Sequence, residues 1–169
     1  MMGKMLLENK AIKSGDFILP YGNRTNYFVD VKEVSTNPVF LAQIAYELSK
    51  QVRSRMIAGV ELGAVPLLVA TSLKLELPYV IVRKKYEHGT KERLIGKISA
   101  GDEVDIIEDV VSTGNSILMA VNLLRDRGAK VTRAITVVDR EEGAVQLLRD
   151  NGVELVALVR ISDVIKEKK

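Results

Sequence analysis

The sequence has no cysteine, a single histidine and no long apolar run. Without cysteine, the chain can form neither a disulfide framework nor a metal site built from thiolates. No stretch approaches the roughly 20 apolar residues of a membrane-spanning helix. Residues 1–17 carry a charged or polar side chain every few positions and lack the apolar core of a secretory signal peptide. These absences favour a location in the reducing cytoplasm.

The composition is that of an ordinary globular domain. Of 169 residues, 47% are apolar and 28% are charged, which is typical of proteins with a packed core. A chain of this length buries about two thirds of the surface that its unfolded form exposes. We find no internal repeat, low-complexity segment or linker, so we predict a single domain over residues 1–169.

Short apolar runs rich in valine and isoleucine alternate with segments whose apolar residues recur at helical spacing. The predicted strands are residues 16–19, 27–31, 56–60, 79–82, 104–107, 131–138 and 153–158. The predicted helices are residues 5–13, 37–53, 65–75, 116–127 and 143–150. Such alternation favours an α/β fold, in which helices cover both faces of a parallel sheet.

Ligands of open parallel sheets bind beyond the carboxyl ends of the strands. Four segments follow predicted strands and should therefore meet at that edge. They are residues 61–64, 83–89, 108–116 and 139–142, and each contains polar residues or glycine. Their convergence predicts a binding site.

Residues 106–116 read IIEDVVSTGNS, with two adjacent acids after an apolar run. Because this segment joins a predicted strand to a predicted helix, we expect residues 108–115 to form the connecting loop. Free backbone N–H groups at a helix N-terminus attract anions, and Ser112 and Thr113 add hydroxyl donors. Gly114 permits close approach of the backbone. The second half of the segment therefore predicts a phosphate site.

Glu108 and Asp109 would repel a phosphate, so they should face another part of the same ligand. Carboxylates accept hydrogen bonds from the hydroxyls of a diol, and a sugar phosphate would therefore satisfy the whole segment. The alternative is a helix cap with a solvated neighbour. The glycine motifs of nucleotide-binding loops, G-x-x-x-x-G-K-[ST] and G-x-G-x-x-G, are absent from the sequence.

Positive charge is concentrated in one segment, although the net charge is only +3. Five Lys/Arg residues and the single histidine fall within residues 83–93, RKKYEHGTKER. Such a run is either a solvated loop or a site for a polyanion.

IIEDVVSTGNS resembles the phosphoribosyl pyrophosphate (PRPP) signature of type I phosphoribosyltransferases: an apolar strand, two acids, two apolar residues and Thr/Ser-Thr/Ala-Gly. Four other stretches resemble segments of orotate phosphoribosyltransferases and occur in the family's order. They are GDFILPYGNRTNYFVDVK, GVELGAVPL, VIVRKKYEHGTKERLIG and VVDREEGA. The resemblance covers about residues 13–162. It implies the type I phosphoribosyltransferase fold, with a small N-terminal hood from about residues 1–35.

The resemblance implies transfer of the 5-phosphoribosyl group from PRPP to N1 of orotate. The products would be orotidine 5′-phosphate and pyrophosphate, in pyrimidine (UMP) biosynthesis. Mg²⁺ is the implied cofactor; because it prefers oxygen ligands and retains waters, PRPP would carry it and no protein metal site is expected. Family members act as homodimers whose basic loop reaches the neighbouring subunit's site. We expect neither a nucleic-acid nor a membrane partner.

The resemblance also assigns residues to roles. The implied PRPP-binding residues are Arg83, Lys84, Lys85, His88, Glu108, Asp109, Val110, Val111, Ser112, Thr113, Gly114, Asn115 and Ser116. The implied orotate-binding residues are Tyr27, Phe28, Ser112 and Arg140, and the implied catalytic residues are Lys84, Lys85, His88 and Asp109. The reaction passes through an oxocarbenium-like sugar, so its catalysis consists mostly of positioning and charge stabilisation.

The role of Arg140 rests on geometry as well as on resemblance, because an arginine fork matches the carboxylate of orotate bidentately. The alternative is a surface ion pair with Glu141 or Glu142, which would contribute little. Tyr27 and Phe28 either form a wall for the pyrimidine or only pack in the core.

The sequence departs from the family pattern in its basic loop, at Ala64, and at Pro20 and Tyr21, which replace the Lys/Ser-Ser often found before Gly22. RKKYEHG is one residue shorter than the family's R-K-x-x-K-x-H-G, so the position of the catalytic lysine falls on Lys85 or Tyr86. Ala64 stands where the family often has a second glycine. Asp105 lies inside a predicted apolar strand, and only an edge or cavity-facing position would account for it.

Two other functions stay open at this point. Another phosphoribosyltransferase, acting on a purine or uracil, would keep the PRPP site but would not need Arg140 to meet a carboxylate. A non-enzymatic regulator on the same fold would sense PRPP and bind nucleic acid through a basic face. No added DNA-binding domain is visible in the sequence, which counts against the regulator.

Overall fold

The computed structural model describes residues 2–18, 24–84 and 92–166. Strands β1 (Ile12–Ile18) and β2 (Arg24–Val29) form an antiparallel two-stranded sheet. The main sheet consists of β3 (Met56–Val60), β4 (Tyr79–Val82), β5 (Leu94–Ile95), β6 (Glu103–Val111), β7 (Lys130–Asp139) and β8 (Glu154–Arg160). Its order is β5-β4-β3-β6-β7-β8, and neighbours run parallel except β5, which is antiparallel to β4.

Helices cover both faces of the main sheet. They are α1 (Met2–Glu8), α2 (Val31–Ser35), α3 (Pro38–Ser49), α4 (Ala64–Leu75), α5 (Asn115–Arg125), α6 (Ala144–Asp150) and α7 (Ile161–Lys166). On one face, α5 and α6 contribute Leu124 and Leu148 to a buried cluster. On the other, α1, α3 and α4 contribute Leu6, Leu48 and Leu67 to a second cluster. The predicted α/β fold, with a parallel sheet covered on both faces, is confirmed.

The central strand β6 shows how the apolar pattern specifies this arrangement. Ile106 belongs to the cluster beneath α5, and Ile107 to the cluster beneath α4, because successive side chains of a strand point to opposite faces. Both are fully buried. A strand buried on both faces reads as a continuous apolar run and belongs inside a parallel sheet. The carboxyl end of β6 therefore lies in the middle of the ligand-binding edge.

Strand β6 is longer than predicted, and this corrects the position of the acid pair. The strand extends to Val111, so Glu108 and Asp109 belong to it and not to the connecting loop. Strand β7 continues beside it, with Glu108 opposite Thr136 and Val111 opposite Asp139. Backbone pairing with β7 outweighs the weak strand propensity of two carboxylates.

The N-terminal elements are shifted relative to the prediction. The helix predicted over residues 5–13 is α1, which ends early because Lys10 adopts a left-handed conformation with φ 60°. The N–H of Ala11 then donates to the carbonyl of Leu6 at 2.9 Å and closes the helix end. The strands predicted over residues 16–19 and 27–31 correspond to β1 and β2. The short elements α2, β5 and α7 were not predicted.

Helix α3 begins where the sequence indicates. The side-chain oxygen of Asn37 accepts hydrogen bonds from the N–H groups of Val39 (2.9 Å) and Phe40 (3.5 Å). Pro38 follows at the first helical position, where its missing N–H leaves no hydrogen bond unmade. In the described ranges, no helix is both long and apolar enough to cross a membrane.

Asp105, for which the sequence suggested an edge or cavity-facing position, is instead buried on the central strand β6. It holds a connection at the amino end of the sheet. Its buried carboxylate accepts hydrogen bonds from the N–H groups of Arg53 (2.7 Å) and Ser54 (3.2 Å) and from the Ser54 hydroxyl (2.8 Å). These bonds fix the chain between α3 and β3. Asp105 therefore supports the fold at the edge opposite to the predicted site.

Candidate functional site

The turn that follows β6 leads directly into α5. Gly114 caps the helix with φ 88°, a conformation that L side chains rarely adopt. A Cβ added at Gly114 would lie 3.2 Å from both Cα and Cβ of Ala144, the first residue of α6. Backbone conformation and contact with α6 therefore both favour glycine at this position.

A cavity of about 120 Å³ opens at this turn. Its wall is formed by Lys84, which follows β4, and by the continuous run from Glu108 to Ile117. The Asn115 amide donates to the Thr113 hydroxyl oxygen at 3.0 Å, which fixes both side chains beside it. The first N–H groups of a helix have no helical partner, so an anion in this cavity would meet backbone and hydroxyl donors together.

The acid pair, Glu108 and Asp109, is buried beside this cavity. Glu108 is 6% exposed and Asp109 is 9% exposed. Burial, followed by the charge of Asp109, raises the pKa of the Glu108 carboxyl well above its ordinary value, and the charge of Lys84 opposes this rise. Desolvation disfavours the ionised form of a carboxyl group. Glu108 therefore retains its proton at higher pH than an exposed glutamate does.

Asp109 lies against the start of α4. A Cβ added at Gly63 would lie only 2.1 Å from its Oδ2 atom, so the carboxylate occupies the space of the missing side chain. On the other side, the Lys32 ammonium is 3.9 Å from the same oxygen and 3.1 Å from Oδ1 of Asp30. The structure thus brings the segment after β3 together with the acid pair, as the sequence predicted, and adds Lys32 to them.

The basic segment is held at its base by polar contacts. The N–H of Lys84 donates to Oε1 of Glu61 at 2.8 Å, and the N–H of Arg83 donates to the Arg93 carbonyl at 2.8 Å. The Arg93 guanidinium returns two hydrogen bonds of 3.3 Å to the carbonyls of Arg83 and Lys84. These contacts place Lys84 on the cavity wall, close enough for its charge to oppose the rise in the pKa of Glu108.

Three residues named for this segment, Lys85, Tyr86 and His88, lie outside the described residues. Their roles, including the choice between Lys85 and Tyr86, stay predictions.

Arg140 lies beside the end of β6, because its N–H donates to the Val111 carbonyl at 2.9 Å. Its guanidinium is 2.7 Å from the Glu142 carboxylate. The side chain is 19% exposed, and among the described residues its buried Nε has no hydrogen-bond partner. The predicted alternative of an ion pair with Glu142 is therefore realised, while one N–H of the fork is left for another acceptor.

The turn that presents Arg140 is fixed by two carboxylates. Oδ1 of the buried Asp139 accepts a hydrogen bond of 2.8 Å from the N–H of Glu141. Oε2 of Glu141 in turn accepts a hydrogen bond of 2.8 Å from the N–H of Ser162 at the start of α7. Burial also raises the pKa of Asp139. The main chain on either side of Arg140 is therefore held in place.

Tyr27 and Phe28 point to opposite sides of β2, as successive strand residues do. The Tyr27 ring lies 5.6 Å from the guanidinium carbon of Arg140, and Tyr27 also packs on the core cluster beneath α4. Phe28 is 40% exposed, and its ring lies 5.7 Å from that of Phe17. The structure therefore brings Tyr27 to Arg140 and pairs Phe28 with Phe17.

Similarity to known proteins identifies the family of this chain. The sequence matches the phosphoribosyl transferase domain family over residues 30–157. Over 163 residues it is 55% identical to the orotate phosphoribosyltransferase of Thermoplasma volcanium, and the aligned region covers 96% of this chain and 98% of that protein. This chain belongs to the orotate phosphoribosyltransferase family.

Two solved structures of the family share the fold. The crystal structure of orotate phosphoribosyltransferase from Aeropyrum pernix matches with a TM-score of 0.86 at 30% identity, covering 99% of this chain and 98% of that chain. The Mycobacterium tuberculosis enzyme in complex with PRPP matches with a TM-score of 0.77 at 25% identity, covering 96% of each chain. The family match begins at residue 30 and therefore includes the acid pair and Arg140 but not Tyr27 or Phe28.

Four residues that surround the family's signature received no individual role from the sequence, although residues 61–64 were predicted to meet at the ligand edge and residues 83–93 to form the basic segment. They are Lys32, Glu61, Gly63 and Arg93, and each contacts a signature or basic-segment residue through tertiary structure. Gly63 carried a signal, since it lies in the glycine-containing stretch GVELGAVPL. Lys32 had only its place at the end of GDFILPYGNRTNYFVDVK.

Proposed function

We propose that this chain transfers the 5-phosphoribosyl group from PRPP to N1 of orotate, giving orotidine 5′-phosphate and pyrophosphate. One observation carries the proposal. The Arg140 N–H donates to the Val111 carbonyl, so this arginine lies next to the cavity whose wall contains the acid pair and the turn before α5. The site thus offers groups for a phosphate, a diol and a carboxylate. The names of its full-length relatives support the same reaction.

The 5′-phosphate binds in the turn between β6 and α5. The backbone N–H groups from Val110 to Gly114 and the hydroxyls of Ser112 and Thr113 act as donors, and Val111, Asn115 and Ser116 complete the pocket. The position at the start of α5 supports this role, because the helix dipole favours negative charge there.

The ribose lies over the acid pair. Glu108 and Asp109 accept hydrogen bonds from its 2′- and 3′-hydroxyls, and both line the cavity next to the phosphate turn. As the bond to pyrophosphate breaks, positive charge develops at the anomeric carbon. The Asp109 carboxylate stabilises that charge in a site where burial strengthens electrostatic interactions.

Pyrophosphate leaves toward the basic segment. Arg83 and Lys84 supply positive charge, and Lys84 already lies on the cavity wall. Lys85 and His88 complete this set by resemblance, and His88 is suited to donate a proton near neutral pH.

The substrate is the complex of PRPP with Mg²⁺. In the described part of the chain, no group of three or more His, Cys, Asp and Glu side chains is placed to hold a metal ion. Mg²⁺ prefers substrate phosphates and waters to a cage of protein ligands. An ion bound with PRPP would supply positive charge to the leaving pyrophosphate.

Orotate binds between Arg140 and the hairpin formed by β1 and β2. Its carboxylate pairs with the Arg140 fork and either shares it with Glu142 or displaces that side chain. Tyr27, whose ring faces the guanidinium, forms one wall of the pocket, and Ser112 reaches the base from the phosphate turn. Phe28 contributes to the wall only if its contact with Phe17 rearranges.

The protein acts as a cytoplasmic homodimer, in which the basic loop of one subunit reaches the site of its partner. Large apolar side chains of α3 and α4 support a dimer, because they are exposed in a single copy. They are Val39, Tyr46, Val69 and Leu73. Light scattering on a dilution series should give the mass of two chains. The mass of one chain at working concentration would contradict the proposal.

The reaction is tested by mixing the purified protein with PRPP, Mg²⁺ and orotate and following the loss of orotate's ultraviolet absorbance. Uracil, hypoxanthine and adenine are offered in parallel, with products separated by chromatography. We expect turnover of orotate alone. Turnover of another base would retain the PRPP site and overturn the orotate assignment, and PRPP binding without turnover would indicate a regulator.

Arg140 variants test the anchor. A hydrogen bond to a charged group contributes about 1.5–3 kcal/mol, so Arg140→Ala should raise the KM for orotate about 10- to 150-fold and change that for PRPP little. Arg140→Lys retains the charge but not the fork, and it should recover only part of the loss. An unchanged orotate KM in Arg140→Ala would contradict the assignment.

A further inference from the structure

We infer that Lys32 is a positioning residue of the active site, whose ammonium group holds the Asp109 carboxylate in its working position. The inference rests on the proposed function in so far as Asp109 binds the ribose of PRPP. Neither the sequence motif nor the resemblance assigns a role to Lys32, which lies between the hairpin and the main sheet.

The side chain of Lys32 is fixed by its own helix cap. Asp30 caps α2, and its Oδ1 accepts a hydrogen bond of 3.1 Å from the backbone N–H of Lys32. The same oxygen lies 3.1 Å from the Lys32 ammonium. The lysine therefore folds back over the start of its helix, and this conformation brings Nζ to 3.9 Å from Oδ2 of Asp109.

Asp109 depends on Lys32 for a neighbouring positive charge. Within the described residues, no other cation lies within salt-bridge distance of the Asp109 carboxylate. Gly63 provides space for the carboxylate without a charge. Glu108 is adjacent, and its carboxyl interacts with that of Asp109.

The charges are arranged as two overlapping groups. Lys32 lies between Asp30 and Asp109, and Lys84 acts on Glu108. Without Lys32, no cation would lie between the carboxylates of Asp30 and Asp109. Like charges at this range repel, so the Asp109 side chain would move toward the open cavity. A displacement of about 1 Å in a catalytic group can lower the rate on the order of 100-fold.

This contact should matter for turnover far more than for stability. The side chain of Lys32 is 52% exposed, and an ion pair with an exposed member contributes little to the free energy of unfolding. A loss of activity without a loss of stability would therefore separate positioning from a structural role.

The test compares three variants of the full chain. Lys32→Met removes the charge and keeps a long apolar side chain, whereas Lys32→Arg keeps the charge. Lys13→Met is the matched control, because Lys13 pairs with Glu33 at 3.2 Å and also joins the hairpin to α2, away from Asp109. The thermal midpoint, kcat and KM for both substrates are measured for each variant.

We expect Lys32→Met to lower kcat/KM for PRPP about 10-fold or more, on the scale of small displacements in an active site. The KM for orotate should stay within about twofold of the parent, Lys32→Arg should restore most of the activity, and Lys13→Met should match the parent. Parent-like kinetics of Lys32→Met, or an equal loss in Lys13→Met, would overturn the inference.

A double-mutant cycle shows whether Lys32 acts through Asp109. In an Asp109→Asn background, Lys32→Met should cause no further loss, because the carboxylate that it positions is gone. A full further loss would mean that Lys32 contacts PRPP itself and would overturn the inference. If the parent chain does not turn over orotate, the proposed function fails, and the same cycle is run on the dissociation constant of PRPP.

Discussion

Two buried aspartates of β6, Asp105 and Asp109, occupy opposite ends of the strand and have different surroundings. Asp105, at the amino end, accepts three hydrogen bonds from Arg53 and Ser54. Asp109, at the carboxyl end, has a lysine ammonium at 3.9 Å and a second carboxyl group as its neighbour. The oxygens of Asp105 are largely used by the fold, whereas those of Asp109 are left for a ligand.

The two ends of β6 therefore serve stability and function separately. An ionised carboxylate can accept about four hydrogen bonds, so one that already holds two backbone N–H groups and a hydroxyl is a structural connector. A buried carboxylate beside another acid is costly to keep in the fold. Its retention at the ligand edge is explained by what it binds.

The largest expected effect is the loss of the Asp109 charge. Asp109→Asn keeps the size of the side chain and should lower kcat/KM for PRPP about 10²–10³-fold, the range for removing a preorganised electrostatic group. Asp105→Asn, the matched change at the other end, should stay within about twofold of the parent at temperatures well below its midpoint. Initial rates at varied PRPP decide the matter. Equal losses of kcat/KM in both variants would show that the two ends of β6 do not differ in function.

The next effect is steric. Gly63→Ala would put a Cβ 2.1 Å from Oδ2 of Asp109, so the carboxylate must move. The backbone of Gly63 has φ −61° and accepts alanine without strain. We therefore expect kcat/KM to fall on the order of 100-fold with little change in the thermal midpoint. In an Asp109→Asn background, the group that the added Cβ displaces is an amide that has already lost the charge. A loss of turnover there as large as in the parent would therefore show that Gly63 acts by another route.

The sequence predicted the parts of the molecule whose cause is local or periodic. Strands 56–60 and 79–82 have the predicted bounds, because a strand buried on both faces appears as an uninterrupted apolar run. The turn with Gly114 was recognisable because its small residues and glycine follow from one backbone conformation.

The sequence could not predict features that depend on pairing between distant segments. Strand β6 continues through Glu108 and Asp109 because β7 pairs with it there, although carboxylates are weak strand formers. The contact of Lys32 with Asp109 depends on a five-residue helix without its own periodic signal. Asp105 read as an anomaly because its partners, Arg53 and Ser54, come from a connection outside any predicted strand.

The third effect concerns stability at the amino end. Asp105→Ala removes the acceptor for two N–H groups and a hydroxyl, and an unsatisfied buried donor costs about 1–3 kcal/mol. Since about 1 kcal/mol corresponds to about 2–4 °C in a chain of this size, the midpoint should fall by about 2–12 °C while kcat/KM is retained. Glu8→Ala, which breaks an exposed pair with Lys4 at 3.7 Å, is the control and should change it by no more than about 1–2 °C. A midpoint unchanged in Asp105→Ala would remove its structural role.

The smallest effect is a gain in stability from Glu108→Gln, and its sign follows from protonation. The pKa of Glu108 is raised in the folded protein, mainly by burial, so the folded state binds this proton more tightly than the unfolded chain. The resulting stability is fully present below the ordinary value of 4.5 and is lost as the pH rises through the folded-state pKa. Glutamine stays neutral throughout and does not suffer this loss.

Thermal melting between about pH 4 and pH 8 should therefore show equal midpoints for parent and Glu108→Gln at the acid end and a higher midpoint for the variant at the basic end. The difference should be a few °C, since about 1 kcal/mol corresponds to about 2–4 °C. Glu103→Gln, at the exposed start of the same strand, is the control and should show no such divergence. A variant that melts below the parent at pH 8 would mean that the ionised Glu108 stabilises the fold, and the carboxyl end of β6 would then resemble the amino end.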